Sequence, residues 1–558
     1  MISDDNMHLQ DLPPAGICCA IIGTGTLPVQ CADWLQHSGF NIAYVIAGDE
    51  HLRSWARANA IPCGEKAADI VGQFSNLWID YLFSIANPEL LKEEHLKAVG
   101  TLAINYHDGP LPKYAGSNAT AWAIIQQEAR HAITWHEMVS KVDAGRILIQ
   151  EWIDVTSRDT ALSLNLKCYE SAVESFKRLS VQIKKSDVRF QEQDQAERLF
   201  IPQSRRPHAL GVLDWNQSAS RLDAMIRGLT FGSYYNPLTL PKIYLEEDFL
   251  VVGDSEVRTG TLNRQPGEIT EIDEDFVQVA TDSGELRLHL LSSSSGHPLT
   301  IHDLMDGLGW QVGHQLPKLE EQQSEDLNRF SSVVGSEEPW WRRRLLSAKP
   351  FQLSSTFTKP GVENAASDSN SIASIPIETG PLPGNLEVEP ELLLIATFAT
   401  YLFRIEESAE IHLSFLDKQR DQKPEKPGGL FESVAPLLLT FNESDTTWDV
   451  VNRIGTELKL IRQKSAYAKD LILRDPDLRN RDLRFQAGIF LGTAESDIAA
   501  NLKSQLCLVI TPDHKASFVF EPKILSEDAV RRMAEHLRHL VNEMAQKPTS
   551  PIVSLNLL

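Results

Sequence analysis

Asn105 and His107 stand two places apart at the end of the apolar stretch TLAINYH, and Asp108, Gly109, Pro110, Leu111 and Pro112 follow. Side chains alternate along a strand, so Asn105 and His107 point to the same side, and the glycines and prolines after them make a rigid turn. An amide NH2 and a protonated imidazole are both donors. Converging on an oxygen that gains negative charge, they stabilise acyl transfer through a tetrahedral intermediate. No serine or cysteine in the segment presents itself as a nucleophile, so direct attack by a substrate amine fits better than an acyl-enzyme. A carboxylate to orient or charge the histidine is Asp143, in SKVDAGRILIQ, held in a loop by Gly145 and followed by another strand.

The surrounding pattern alternates strands and helices. GICCAII, FNIAYVIAG, IDYLFSIA and TLAINYH read as strands, with PVQCADWLQHSG and PELLKEEHLKAV as helices between them. Such alternation predicts an α/β domain with a Rossmann-like parallel sheet that binds ligands beyond the carboxyl ends of its strands. Asn105 and His107 lie at such an end. GTGTLP lacks the third glycine of a dinucleotide fingerprint, and Pro28 stands in its turn, so it does not make a nucleotide site. His131 and His136 are five apart on a predicted strand and point to opposite faces, so they do not share a metal ion.

Composition excludes several classes. The chain has 558 residues, enough for three or more domains, and a net charge of -23 that repels a phosphate backbone. Nucleic acid is not an expected partner. The six cysteines include no Cys-x-x-Cys pair and fit reduced thiols in a cytoplasmic protein. The first residues lack the basic and apolar regions of a secretory signal, and the longest apolar run, 392–403, falls short of a membrane span, so no membrane is expected.

The Asn-x-His pair, the Leu111-Pro112 turn and the Asp143-x-Gly145 loop, over roughly residues 15–190, resemble the folate-dependent formyltransferases that move the formyl group of N10-formyltetrahydrofolate to an amine. The resemblance implies that Asn105 and His107 hold the formyl oxygen while Asp143 keeps the imidazole charged and routes protons. FSIANPELL resembles a folate-lining segment. With the neighbouring loops it implies a co-substrate site of Phe83, Ser84, Ile85, Ala86, Asn87, Leu90, Pro112, Val142 and Gly145, with no metal. Asp108, Gly109, Gly116, Asn118 and His136 are expected at the acceptor pocket, His136 in its wall; His131 is expected to be structural. Where many members have Ser-Leu-Leu-Pro, this chain has DGPLP.

The polar stretch 184–210 reads as a connection. Residues 205–325, with strand alternation in PGEITEIDEDFVQVATDSGELRLHLL, resemble the small barrel-like domain that follows the catalytic domain in several of these enzymes. A boundary is expected between 320 and 340, and a long exposed loop over 358–385. EEPWWRRRL, ELLLIATFATYLFRI and the final LSEDAVRRM segment resemble an α/β second lobe of a nonribosomal peptide condensation domain over 337–558. IHDLMDG imitates half of that family's His-His-x-x-x-Asp-Gly motif, but Ile301 replaces the first histidine, so His302 is expected to be inert.

The domains are thus read as 1–195, 205–325 and 337–558. The expected activity is N-formylation of an amino acid or carrier-bound aminoacyl group, with the last lobe docking a nonribosomal peptide assembly line. Formylation of an amino-sugar nucleotide, hydrolysis of formyl-folate and an idle folate-fold scaffold are the alternatives.

Overall fold

The computed structural model describes residues 16–74, 77–259, 264–354, 356–359, 372–378, 388–406, 408–418, 429–492 and 504–557. Its first layer is a seven-stranded sheet of β1 (Cys18–Gly23), β2 (Asn41–Ala47), β3 (Cys63–Gly64), β4 (Tyr81–Ile85), β5 (Leu102–His107), β7 (Arg130–Glu137) and β8 (Ile147–Asp154). The order is β3-β2-β1-β4-β5-β7-β8. Every residue of β1 is buried, as its unbroken apolar run requires of a strand covered on both faces. The parallel expectation holds only from β3 to β5; β7 and β8 run antiparallel, as a hairpin on β5.

Helices α1 (Thr26–His37) and α6 (Ala161–Lys184) pack on this sheet, with α2 (Glu50–Ala58) beside α1. Thr160 and Ser163 close a capping box at the start of α6. The helix expected over 88–99 shrinks to Glu93–Lys97. The Asn87 side chain bonds both the N–H and the carbonyl of Glu89, which turns the first part of that stretch into a loop.

The second layer is a five-stranded antiparallel sheet of β10 (Lys242–Tyr244), β11 (Phe249–Arg258), β12 (Ile269–Ile272), β13 (Val277–Ala280) and β14 (Glu285–Ser293), in the order β10-β11-β14-β13-β12. Among the described residues its end strands do not pair, so the sheet stays open where a barrel was expected. Helix α7 (Ala219–Gly228) packs it against α5 (Ala119–Ile125), and the two units share one hydrophobic core. Helix α8 (Ile301–Leu308) places His302 at the surface, 82% exposed and paired only with Asp306.

The boundary expected at 320–340 lies inside one long helix, α9 (Glu321–Ser347). Its buried face carries Leu327, Val334, Trp341 and Leu345, together with the polar Ser331, Glu338 and Arg344. Beyond it a six-stranded mixed sheet, order β15-β22-β21-β20-β16-β18, carries a second core. Its strands are β15 (Ala373–Ile377), β16 (Glu410–Asp417), β18 (Ala435–Thr440), β20 (Ala487–Leu491), β21 (Leu506–Ile510) and β22 (Ala516–Phe520). Helices α10 (Pro390–Glu406), α11 (Thr447–Gln463) and the last helix, Glu527–Gln546, cover it. Part of the loop expected at 358–385 is therefore the edge strand β15, paired to β22; 360–371 and 379–385 lie outside the described residues. No helix among the described residues is long and apolar enough to cross a membrane.

The third unit is fastened to the first two by buried charge. Lys242 Nζ lies 2.6 Å from Asp470 Oδ2, Arg474 Nη1 lies 2.8 Å from Glu338 Oε1, and Arg206 Nη2 lies 3.2 Å from Glu338 Oε2. Burial pulls the Lys242 ammonium below the usual lysine value even with Asp470 beside it. Burial alone would raise the Asp470 pKa, but Lys242 and Arg474 outweigh it and hold the carboxyl below the usual range. Such a network adds little net stability when whole and costs much when broken.

Asp470→Ala should therefore lower stability by about 3–5 kcal/mol, by leaving Lys242 buried without its anion. Urea unfolding of the variant and of Lys242→Met/Asp470→Leu, which removes both charges and should recover most of the loss, measures this. Because the folded carboxyl titrates below the unfolded value, the Asp470 contribution is present above about pH 4 and declines as pH falls further.

Candidate active site

The sheet register brings the site together. Asn105 on β5 pairs directly with His136 on β7, and His107 with Thr134. The turn after β5 is pinned from below: Thr134 Oγ1 donates to the Gly109 carbonyl at 2.7 Å, His131 Nε2 to that of Asp108 at 2.7 Å, and Gln150 Nε2 to that of Leu111 at 2.9 Å.

Asp143, in left-handed backbone at φ 50°, turns a carboxylate only 9% exposed into this turn. The Gly116 N–H donates to its Oδ2 at 2.8 Å, His107 Nδ1 lies 3.8 Å from Oδ2, and His136 Nε2 lies 3.4 Å from Oδ1. Burial would raise this carboxyl's pKa, but the charge on His107, the His136 bond and charge and the Gly116 amide carry it well below the usual range. It is an anion at neutral pH.

A carbonyl only accepts, so His107 Nε2, 2.6 Å from the Tyr114 oxygen, carries a hydrogen. Its Nδ1 faces two carboxylates, Asp143 at 3.8 Å and Asp108 at 3.9 Å, both too far for a direct hydrogen bond. The Asn105 NH2 donates to the Tyr106 carbonyl at 3.0 Å and meets His136 Nε2 at 3.2 Å, while His136 Nδ1 donates to the Glu137 carbonyl at 2.8 Å. The result is a buried carboxylate between two imidazoles, with an amide beside it and, among the described residues, no Ser, Thr or Cys side chain bonded to any of the four.

Residues 41–178 match the family described as "Formyl transferase", and residues 207–309 match "Formyl transferase, C-terminal domain". Both matches fall within the first two units, which are similar to that family there. A methionyl-tRNA formyltransferase of Alkaliphilus oremlandii (strain OhILAs) is 24% identical over 311 residues, covering 53% of this chain and 98% of that protein. Among solved structures, the N-formyltransferase of Helicobacter canadensis aligns at TM-score 0.41 and 16% identity, over 49% of this chain and 99% of that one. HypX from Aquifex aeolicus aligns at TM-score 0.39 and 14% identity, over 55% and 53%. The protein is an enzyme that transfers formyl groups.

In this formyltransferase the residues expected at the co-substrate site divide. Phe83 and Ile85 lie fully buried in the sheet's core, Phe83 edge-on to Phe176, so neither offers surface to a ligand. Ser84 is buried within 3.4 Å of Asn87 Nδ2, and Ala86 takes left-handed backbone at φ 50° with its carbonyl accepting from Thr24 Oγ1. Asn87, Pro112 and Val142 are half-buried, and Leu90 is 74% exposed.

Two expected lining glycines instead serve the backbone. A Cβ on Gly145 would lie 2.0 Å from the Glu137 oxygen, and one on Gly109 2.8 Å from His107 Nε2 and 3.0 Å from the Tyr114 oxygen. Neither position has open space toward a ligand. Gly116, at φ 104°, holds Asp143 through its N–H, and Asn118 starts α5 in left-handed backbone without a side-chain cap. His136, expected in the pocket wall, in fact lies between Asn105 and Asp143.

Nothing in residue type or spacing points to Gln193 and Arg198. Both lie in the stretch read as a connection, yet Gln193 Nε2 donates to the carbonyls of Asp143 and Gly145 at 2.9 and 2.6 Å, and Arg198 Nη2 to that of Val142 at 2.6 Å. They clamp the Asp-x-Gly loop. Their targets are carbonyls, which every residue has, so only the path of the chain reveals them.

Gly109→Ala should push its new methyl against His107 and lower formyl transfer about 10²-fold with the fold retained, because a small displacement of a reacting group suffices. Steady-state rates beside a circular dichroism melt measure this; activity near that of the parent would mean that His107 tolerates the shift.

Proposed function

We propose that this enzyme moves the formyl group of N10-formyltetrahydrofolate to the amino group of an amino acid or carrier-bound aminoacyl unit. The observation that supports it best is the buried Asp143 carboxylate, held beside His107, His136 and Asn105 with no side-chain nucleophile attached. The acceptor nitrogen bonds to the formyl carbon, the bond from that carbon to the donor nitrogen breaks, and the proton lost by the amine goes to the donor nitrogen. His107 Nδ1–H and the Asn105 NH2 serve the oxygen that becomes negative, and Asp143 balances the imidazolium.

The β4 end fits the donor. Leu90 opens onto a groove of about 540 Å³ lined also by Val71, Glu89, Lys92, Glu94 and His95. Val71 and Leu90 give it an apolar face, on which a flat ring could rest, and Lys92 is paired with Glu94 at its rim.

Two features favour an aminoacyl acceptor over a nucleotide-linked one. In the Gly-Thr-Gly loop before α1, where backbone amides commonly cradle phosphate, the Gly25 N–H already donates to the Asp49 carboxylate. The acceptor side also carries an open carboxylate, Asp108. In this reading the third unit, resembling a condensation lobe, docks the module that carries the acceptor, and a carrier raises effective substrate concentration.

Asn105→Ala, His107→Ala and Asp143→Ala should each lower transfer by about 10²-fold to 10³-fold in folded protein; near-parental rates in all three would refute the mechanism. Rates on a loaded aminoacyl carrier, the free amino acid and an amino-sugar nucleotide decide the acceptor. The carrier should rank first, and a best rate on the sugar would overturn the aminoacyl reading. Release of formate without any amine would mark a hydrolase. Deleting residues 337–558 is not a clean test of docking, because it strips Lys242 and Arg206 of their buried partners.

A further inference from the structure

Asp108 and Asp143 flank the same nitrogen of His107 but are held differently. Asp143 is committed to Gly116, His107 and His136. The Asp108 side chain is 28% exposed, lies 3.9 Å from His107 Nδ1, and accepts no hydrogen bond from the described residues; only its backbone is pinned, by His131. The site thus contains one carboxylate used by the fold and one free for a ligand.

Two tyrosines stand on neighbouring elements. Tyr169, on α6, sits 6.5 Å from the Tyr106 ring. Burial, then the nearby Asp108 and Tyr234, raise its phenol above the ordinary value, so it remains a donor. Tyr234, 65% exposed, lies on the loop between α7 and β10. That loop touches α6 on one side, where the Leu162 N–H donates to the Thr230 carbonyl at 3.2 Å.

On the other side the loop is bolted to the third unit. Tyr235 OH donates to Glu338 at 2.7 Å, the Asn236 N–H to the Arg474 carbonyl at 3.0 Å, Arg474 Nη1 to the Asn236 carbonyl at 2.7 Å, and Thr239 Oγ1 to Asp470 at 2.7 Å. Tyr234 is therefore presented on fixed backbone, although its own ring is in solvent. The third unit thus holds the far side of this loop.

We propose that Asp108, Tyr169 and Tyr234 form the acceptor subsite, which captures the ammonium of an aminoacyl group and turns away acceptors that keep a free α-carboxylate. This rests on the formyl-transfer reading and names the acceptor's chemistry. A carboxylate beside aromatic faces attracts an organic cation. The same carboxylate repels a second anion at that distance. An amino acid bound through an ester, thioester or amide has lost that anion, so the subsite favours the activated or carrier-linked form without needing to read the carrier itself.

The test uses the full chain with N10-formyltetrahydrofolate and three nucleophiles: L-leucinamide, L-leucine and hydroxylamine, the last mostly uncharged at neutral pH. The parent enzyme should prefer leucinamide to leucine by tenfold or more in kcat/KM. Asp108→Asn should bring that ratio to within about threefold, through KM for the acceptor, while KM for the donor changes less than twofold. Tyr234→Ala, a surface change, should raise KM for leucinamide several-fold and leave the melting temperature in place. If hydroxylamine is formylated but leucinamide is not preferred, or if the ratio survives Asp108→Asn, the subsite assignment is wrong and formyl transfer stands. If even hydroxylamine is not formylated, the formyl-transfer reading falls first.

Discussion

The site is organised around one buried anion. A carboxylate removed from water must be met by donors and positive charge, and Asp143 draws its partners from stretches far apart in sequence. Gly116 comes from the turn region after β5, His107 from the end of β5 and His136 from β7. Each would otherwise be free to settle elsewhere. The left-handed backbone of Asp143 and the close approach of Gly145 to Glu137 are the local strain that this convergence requires. Gln193 and Arg198 then tie the loop's own carbonyls down, so the carboxylate is fixed from its backbone as well as from its oxygens.

The strap bearing those two residues runs on to Arg206, which pairs with Glu338 of α9. Glu338 in turn meets Arg474, beside Asp470 and Lys242. The Asp143 loop, the second sheet and the third unit are thus linked by a nearly continuous run of buried polar contacts. Apolar packing follows the same seam, where Leu210 and Phe249 of the second unit join Leu327 of α9 and Phe431 of the third. A module that merely docked a partner would need no such burial of charge. The third unit is built into the enzyme.

Much of this was legible in the sequence because it depends on local pattern. The apolar run of β1, the Asn-x-His at a strand end and the Asp-x-Gly loop are period and turn signals, and the structure brings those three side chains together. Readings failed where long-range contacts decide. The antiparallel β7–β8 hairpin, the open second sheet and the helix across 320–340 depend on which surfaces meet. Phe83 and Ile85 read as pocket residues because FSIANPELL resembles a folate-lining segment, but strand alternation turns them into the core. Gln193 acts through carbonyls and leaves no trace in residue type.

The tautomers explain why His136 is more than a wall. With its Nδ1 proton given to the Glu137 carbonyl, a neutral His136 has only a lone pair at Nε2, and the Asn105 NH2 supplies it. In that state Asn105 spends both hydrogens inside the protein, on His136 and on Tyr106. A proton added at Nε2 cannot face an NH2 group, but it can face Asp143 Oδ1, 3.4 Å away. Protonating His136 therefore trades one partner for another and frees an Asn105 hydrogen for an oxygen that is becoming negative. One imidazole between an amide and a carboxylate can thus take up a proton and release an amide hydrogen together.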